Sequence, residues 1–529
     1  MRKKNLPVKR IKKIASLVSP KILAYLILPV FFIFVLKITY QRTSAFGCFD
    51  DCFNYGAAYF MLKGKVLYSE IFFNHQPLAA YLSYIVQKLS QPRTIYELLL
   101  FHRLFLFVFS LVFNTLIIVR FRLVGIGFVL FYELTKYYLF GERFLAESFI
   151  VYPLVFMLGL LWYKFERKRI FLIDYLLAGF FTWFVVFARE PYIPLTIFLY
   201  AFLLWGKNQG KIKIFSLSFF FLLTLFTIFA SPLPDYIFNV FKLNMETVAS
   251  TEIERNLLSG GGIFKSFAYP IFVFFGGKWN IFRTFLIILD IIFLILLWFI
   301  ALKLKKPKSV LVILFLLGLA NIRVVTPGTI FYEAFHMVQW YGLFLMTVFL
   351  MLSSLYMIKK HLTSVLIAFL FIALGLLVFS PKSYLWDKVN RHEEFVTNYA
   401  DYLSNGEVIK LLADPQDTLF LDNRQDLVYW QAGLSSSYKY SWYTWTMPGV
   451  PIYDKARLEM FRENPPDFYY GYCPTEPASA QTLPQDQVAK YAQLYFAGRP
   501  SCLYVKKEKV KEIPQERWEK IKRFEYYLP

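Results

Sequence analysis

"TFLIILDIIFLILLWFIALKL" (Thr284–Leu304) is the stretch that decides the fold class of this chain. Its length meets the ~20 residues an α-helix needs to cross the hydrocarbon core of a bilayer, with one carboxylate, Asp290, inside. It runs into Lys303, Lys305, Lys306 and Lys308, the basic fringe that marks the cytoplasmic end of a span. Working outward, similar runs lie near 22–38, 101–119, 123–140, 147–163, 171–187, 191–205, 214–231, 280–302, 309–322, 337–357 and 362–380. That is about eleven crossings, in keeping with 57% hydrophobic and 18% charged residues among 529. The run at 123–140 is the weakest, because Glu133 and Lys136 fall inside it. Without it, every later span would invert.

A net charge of +22 invites a nucleic-acid reading, which the distribution of charge removes. The N-terminal 1–21 and every second loop thereafter hold 23 Lys and Arg against one acid, Glu166; the other 35 basic and 35 acidic residues cancel. An excess confined to alternate loops is the positive-inside pattern. It predicts a multi-pass cell-membrane protein with a cytoplasmic N-terminus, the C-terminus outside and no nucleic-acid partner. The first apolar run has a basic flank, but "KITYQRTSAFGC" offers no small-residue cleavage site, so it reads as an uncleaved anchor.

The expected organisation is a basic cytoplasmic 1–21, a transmembrane domain over 22–380 with external loops at 39–98 and 232–279, and an external domain over 381–529. In this tail the membrane pattern stops. "DTLFLDN", "DLVYWQAG", "PPDFYYGY" and "SCLYVKK" read as short strands between polar helical stretches, an α/β alternation. All four cysteines fall in external segments, compatible with an oxidising location. Cys473 and Cys502 are disulfide candidates within the tail. Cys48 and Cys52 either form a small disulfide or sit free on one helix face. No His/Cys set surrounds them, so a zinc site is not indicated.

The loop at 39–98 carries the chemistry. "DDCFNYGAAYFMLKG" (Asp50–Gly64) reads as a surface helix ended near its glycine, and "KVLYSEIFFNHQPLAAYL" (Lys65–Leu82) follows. An acidic pair, a glycine-closed helix, then Tyr68, Glu70, His75 and Pro77-Leu78 resembles the first external loop of integral-membrane glycosyltransferases of the GT-C type. Protein O-mannosyltransferases and lipid A aminoarabinose transferases are the nearest group. Gln76, where a second proline is common, and the flanking cysteines depart from that pattern. The resemblance implies a GT-C-like helical membrane domain that moves a sugar from a polyprenyl-phosphate donor to an acceptor hydroxyl on a lipid, glycan or protein.

Such a reaction needs a carboxylate to take the proton of a poor nucleophile and positive or hydrogen-donating groups for the departing phosphate. Asp50 is the expected base, with Asp51 its orienting partner; the competing reading is that the pair caps its helix. Glu147 in "GERFLAESF" is the second acidic position and fits better than Glu142. Asp50 and Glu147 could share a divalent cation. Candidates for the donor phosphate are His75, Arg143, Arg189, Arg255 and Arg323; Arg189 could equally snorkel, and Arg143 could pair with Glu142 or Glu147. Tyr68, Glu70 and His336 are candidate cavity-lining residues. "SGGG" (259–262) follows no strand and lacks the Lys-Ser/Thr of a phosphate loop, so a nucleotide-sugar donor is not indicated. The alternatives are a transporter or flippase of lipid-linked sugars and an envelope assembly protein. A transporter would place its ionisable groups at the membrane midplane, whereas the notable carboxylates here lie at span ends.

Overall fold

Six helices are long and apolar enough to cross a membrane: Ile95–Phe121, Ala146–Phe165, Gly210–Phe229, Ile281–Ala301, Ala334–Tyr356 and Lys360–Val378. Four shorter apolar helices accompany them, Leu28–Gln41, Leu172–Ala188, Glu190–Leu204 and Pro307–Ala320. They belong to a computed structural model that describes residues 20–48, 50–206, 210–245, 281–303, 307–321, 331–380, 390–422, 427–444, 446–471 and 483–529. The chain is therefore a mostly helical membrane protein with a small C-terminal sheet. Within the bundle, Ala146–Phe165 and Val338–Tyr356 are buried along nearly their whole length. Gly210–Phe229 buries little beyond Ser216 and Phe220 and turns Phe215, Phe221, Phe226 and Phe229 outward.

The weak run at 123–140 becomes the short helix Leu123–Thr135 followed by a 3-10 turn, Lys136–Leu139. Its two charges satisfy each other: Lys136 Nζ lies 2.6 Å from Glu133, which also accepts from Asn114 and Tyr152 at 2.8 Å each. Ionisable groups inside a bundle are tolerated when paired in this way.

The C-terminal sheet has the order β2-β1-β3-β5-β4-β6. Its strands are Thr418–Leu421 (β1), Ser435–Ser436 (β2), Phe468–Tyr470 (β3), Tyr491–Phe496 (β4), Arg499–Lys506 (β5) and Tyr526–Tyr527 (β6). β1 runs parallel to β2 and β3; β5 is antiparallel to β3 and β4, and β4 to β6. Three of the four expected strands are present. "DLVYWQAG" is instead the helix Leu427–Ala432, packed on Arg391–Leu412. Its β-prone residues are overridden by tertiary packing, with Leu427, Val428 and Tyr429 all buried where the helix meets Arg391–Leu412.

The helix read in the loop at 39–98 exists as Asp50–Leu62, and Gly64 follows it at φ +87°, a left-handed conformation that favours glycine. Its surroundings differ from the expectation of a helix lying on the membrane surface. Ala57, Tyr59, Phe60, Leu67, Ile71, Phe72 and Phe73 join Leu419, Phe420, Tyr438, Trp442 and Tyr453 in one hydrophobic core. The loop and the C-terminal domain fold as a unit.

Candidate active site

The Asp50–Leu62 helix starts with both acids of the pair, where carboxylates favour the positive end of the helix dipole by roughly 0.3–1 kcal/mol each. A disulfide joins Cys48 to Cys52 across this first turn, which settles the alternative left open above. Cys502 is disulfide-bonded too, while Cys473 lies outside the described residues.

The two acids have different fates. Asp51 is fully buried. It accepts from Arg103 Nη2 at 3.2 Å, from Arg143 Nε at 3.1 Å and from Tyr55 Oη at 3.4 Å. Arg143 also donates to the carbonyls of Ala45 and Gly47. Asp51 and Arg143, expected in catalysis and phosphate binding, therefore form a bolt that locks the helix start to the bundle. Neither is open to a ligand: each is at most 1% exposed. Glu142 is buried beside them, its carbonyl accepting from Arg103 at 3.3 Å. The sequence reading missed Arg103, although its signal was present in "LLLFHRLFLFVF": an arginine within an apolar run requires a buried acid.

Asp50 points elsewhere, and its side chain remains 36% exposed. The groups gathered with it come from three further segments. Glu147 sits in the first turn of Ala146–Phe165, Arg189 ends the helix Leu172–Ala188 with Glu190 after it, and His75 lies on the segment leading to Pro77–Ser90. Arg189 is the hub. Its Nε donates to Glu147 at 2.8 Å, its Nη1 faces His75 Nδ1 at 2.7 Å and Glu190 at 3.7 Å, and its Nη2 stands 3.9 Å from Asp50. A guanidinium can only donate, so in this contact His75 Nδ1 accepts and Nε2 is the ring nitrogen left to donate; Glu190 Oε1 stands 3.9 Å from the same Nδ1. Three carboxylates surround one guanidinium, an arrangement with an excess of negative charge.

This geometry revises several expectations. Arg189 is 3% exposed and its planar fork is engaged by side chains of the chain itself, so it does not present that fork to a phosphate. The guanidinium also stands between Glu147 and Asp50, where a shared divalent cation would have to lie. No group of three or more metal-ligating side chains is gathered among the described residues, so the residues present do not fit that cation. Glu190, which the sequence reading left in the background, belongs to the cluster.

Of the cavity candidates, Tyr68 is buried at φ +73°, and its hydroxyl donates to the His75 carbonyl at 2.9 Å; it tethers the loop from beneath. Glu70 is exposed and accepts from the Val66 amide at 2.8 Å, closing a turn away from the cluster. His336 lies in the 3-10 segment Phe331–Met337; its carbonyl accepts from Tyr192, which belongs to the same turn as Glu190, at 3.4 Å. Arg255 and Arg323 lie outside the described residues.

The site thus offers an accessible carboxylate held beside a fixed cation, and an imidazole whose Nδ1 is engaged by that cation. The carboxylate can accept a proton, and the imidazole N–H can donate a hydrogen bond to oxygen. Compared with known proteins, the chain matches no family model, and no curated protein and no solved structure matches it.

Proposed function

We propose that this protein is a membrane glycosyltransferase that moves a sugar from a polyprenyl-phosphate donor to an acceptor hydroxyl at the outer face of the cell membrane, with inversion at the anomeric carbon. The observation that carries the reading is Asp50: a partly exposed carboxylate, 3.9 Å from a buried guanidinium, on a loop whose sequence resembles that of GT-C enzymes. The acceptor oxygen attacks the anomeric carbon while its proton passes to Asp50. The bond from that carbon to the phosphate oxygen breaks, and polyprenyl phosphate leaves with the electron pair. His75 Nε2–H donates a hydrogen bond to a substrate oxygen. Arg189 holds its positive charge beside Asp50 and occupies His75 Nδ1, leaving Nε2 to face the substrate.

Two observations support the proposed topology. The six long helices, the four shorter apolar ones and Leu123–Thr135 fall where the eleven expected crossings lie. Both disulfide-bonded positions in the described residues, Cys48–Cys52 and Cys502, lie in segments assigned to the outside, where disulfides persist. The test is transfer from a polyprenyl-phosphate sugar by purified protein carrying Asp50→Asn. A loss of about 10²–10⁴-fold with unchanged thermal unfolding is the expected result. Full transfer by this variant would remove Asp50 from the mechanism.

A further inference from the structure

We propose that Trp442, in the C-terminal domain, is a positioning residue for this site: it orients His75 and Asp50 without touching either. Trp442 is 1% exposed and grips both segments that carry the site. On one side the edge of its indole, at Cζ3, abuts the helix at Gly56. A Cβ at Gly56 would come within 2.0 Å of the indole, so only glycine allows this approach. On the other side, its Nε1 donates to the Phe72 carbonyl at 2.8 Å, and the Phe72 amide donates back to the Tyr440 carbonyl at 3.0 Å. Between them Ser441 is held at φ +71°, its hydroxyl donating to the Glu70 carbonyl at 2.7 Å. Residues 440–442 therefore fasten the peptide three residues before His75.

The link to the imidazole is a stack of rings. Phe53, one turn after Asp50, stacks on Trp442 (centroids 5.0 Å, 29°) and on Phe73 (5.0 Å, 11°). Both phenylalanines meet His75 edge-on, at 5.5 Å and 5.9 Å. The ring plane of His75 is thus set from one side by Phe53 and Phe73 and from the other by Arg189, and the first of these supports rests on Trp442. A tryptophan that only filled space would need neither the paired hydrogen bonds around Phe72 nor a left-handed serine beside it.

The kinetic arm of the test rests on the function proposed above; the spectroscopic arm does not. Full-length protein carrying Trp442→Leu, Trp442→Phe, Phe53→Leu or Leu494→Ala is compared with wild type for kcat, KM, thermal unfolding and the ring 15N resonances of His75. Leu494 is buried in β4 and serves as the control for destabilisation without loss of the stack. Trp442→Leu and Phe53→Leu should shift the His75 resonances and lower kcat about tenfold or more with KM little changed, since misplaced groups cost rate before binding. Trp442→Phe should recover most of both, and Leu494→Ala should leave the resonances in place. Unshifted His75 resonances in Trp442→Leu and Phe53→Leu would overturn the proposal, and so would an equal shift in Leu494→Ala. Should Trp442→Leu fail to fold, Trp442→Met carries the same decision, because Phe53 touches His75 directly. If wild type transfers no sugar, the functional reading fails while the resonances still judge the positioning role.

Discussion

Two adjacent aspartates, identical in chemistry and one residue apart, do opposite work because a helix turns by about 100° between them. Asp51 faces two arginines in the interior, and Asp50 faces the accessible side. The sequence singled out the pair but not which member is buried, since the partners Arg103 and Arg143 lie 52 and 92 residues away. The consequence is testable. Asp51→Asn should destabilise the protein by about 3–5 kcal/mol, because it leaves buried guanidinium charge without its counter-ion. A detergent-solubilised sample should show this as an earlier thermal transition and low expression, with residual folded protein retaining the His75–Arg189 contact. Arg189 repeats the lesson. Its place at the end of an apolar run was legible, but its partners were not, and they convert a candidate phosphate ligand into the hub that holds the site together.

At the scale of elements, hydropathy was a sound guide wherever a helix is long. It was weaker for short pieces in the C-terminal domain. The hairpin β4–β5 went unread: Ala497 and Gly498 both adopt positive φ between the paired Phe496 and Arg499, the geometry of a two-residue hairpin loop, but Ala-Gly is not among the dipeptides that signal it. Long-range polar ties could not be read at all. Lys509 and Arg517, from two C-terminal helices, converge on Asp414 at 2.7 and 2.8 Å, just beyond the end of Arg391–Leu412. Their hydrogen bonds hold the Asp414 carboxyl below its ordinary value of 3.8. A depressed acid contributes stability that is present above the unfolded-state value and is lost as pH falls through the folded one. Asp414→Asn should therefore lower the unfolding temperature at neutral pH, and the gap from wild type should narrow as pH falls below about 3.8. Thermal scans of both proteins across pH provide the check.

For the molecule as a whole, charge asymmetry gave an orientation and composition gave a boundary near residue 380, but neither revealed that the loop at 39–98 and the C-terminal domain share a core. Tyr59 reaches the Leu434 carbonyl, Lys63 the Gly433 carbonyl and Trp442 the Phe72 carbonyl, pairings about 370 residues apart that no local pattern encodes. A chain ended after Val378 should accordingly insert in the membrane yet lose sugar transfer, with its 39–98 loop cut readily by added protease. Transfer at the wild-type rate by that truncated chain would refute the shared core.

The glycine at 56 and the tryptophan that rests on it also set a clock. Ribosomes add roughly 5–20 residues per second, so a newly made Asp50 helix waits some tens of seconds for its partner. During that interval the membrane bundle can assemble around a loop that has no floor. The support under the Asp50 helix then arrives late in synthesis, and a chain stalled or clipped before Trp442 leaves that site without it. Quality control is thereby written into the order of translation: only a chain made past Trp442 completes the site.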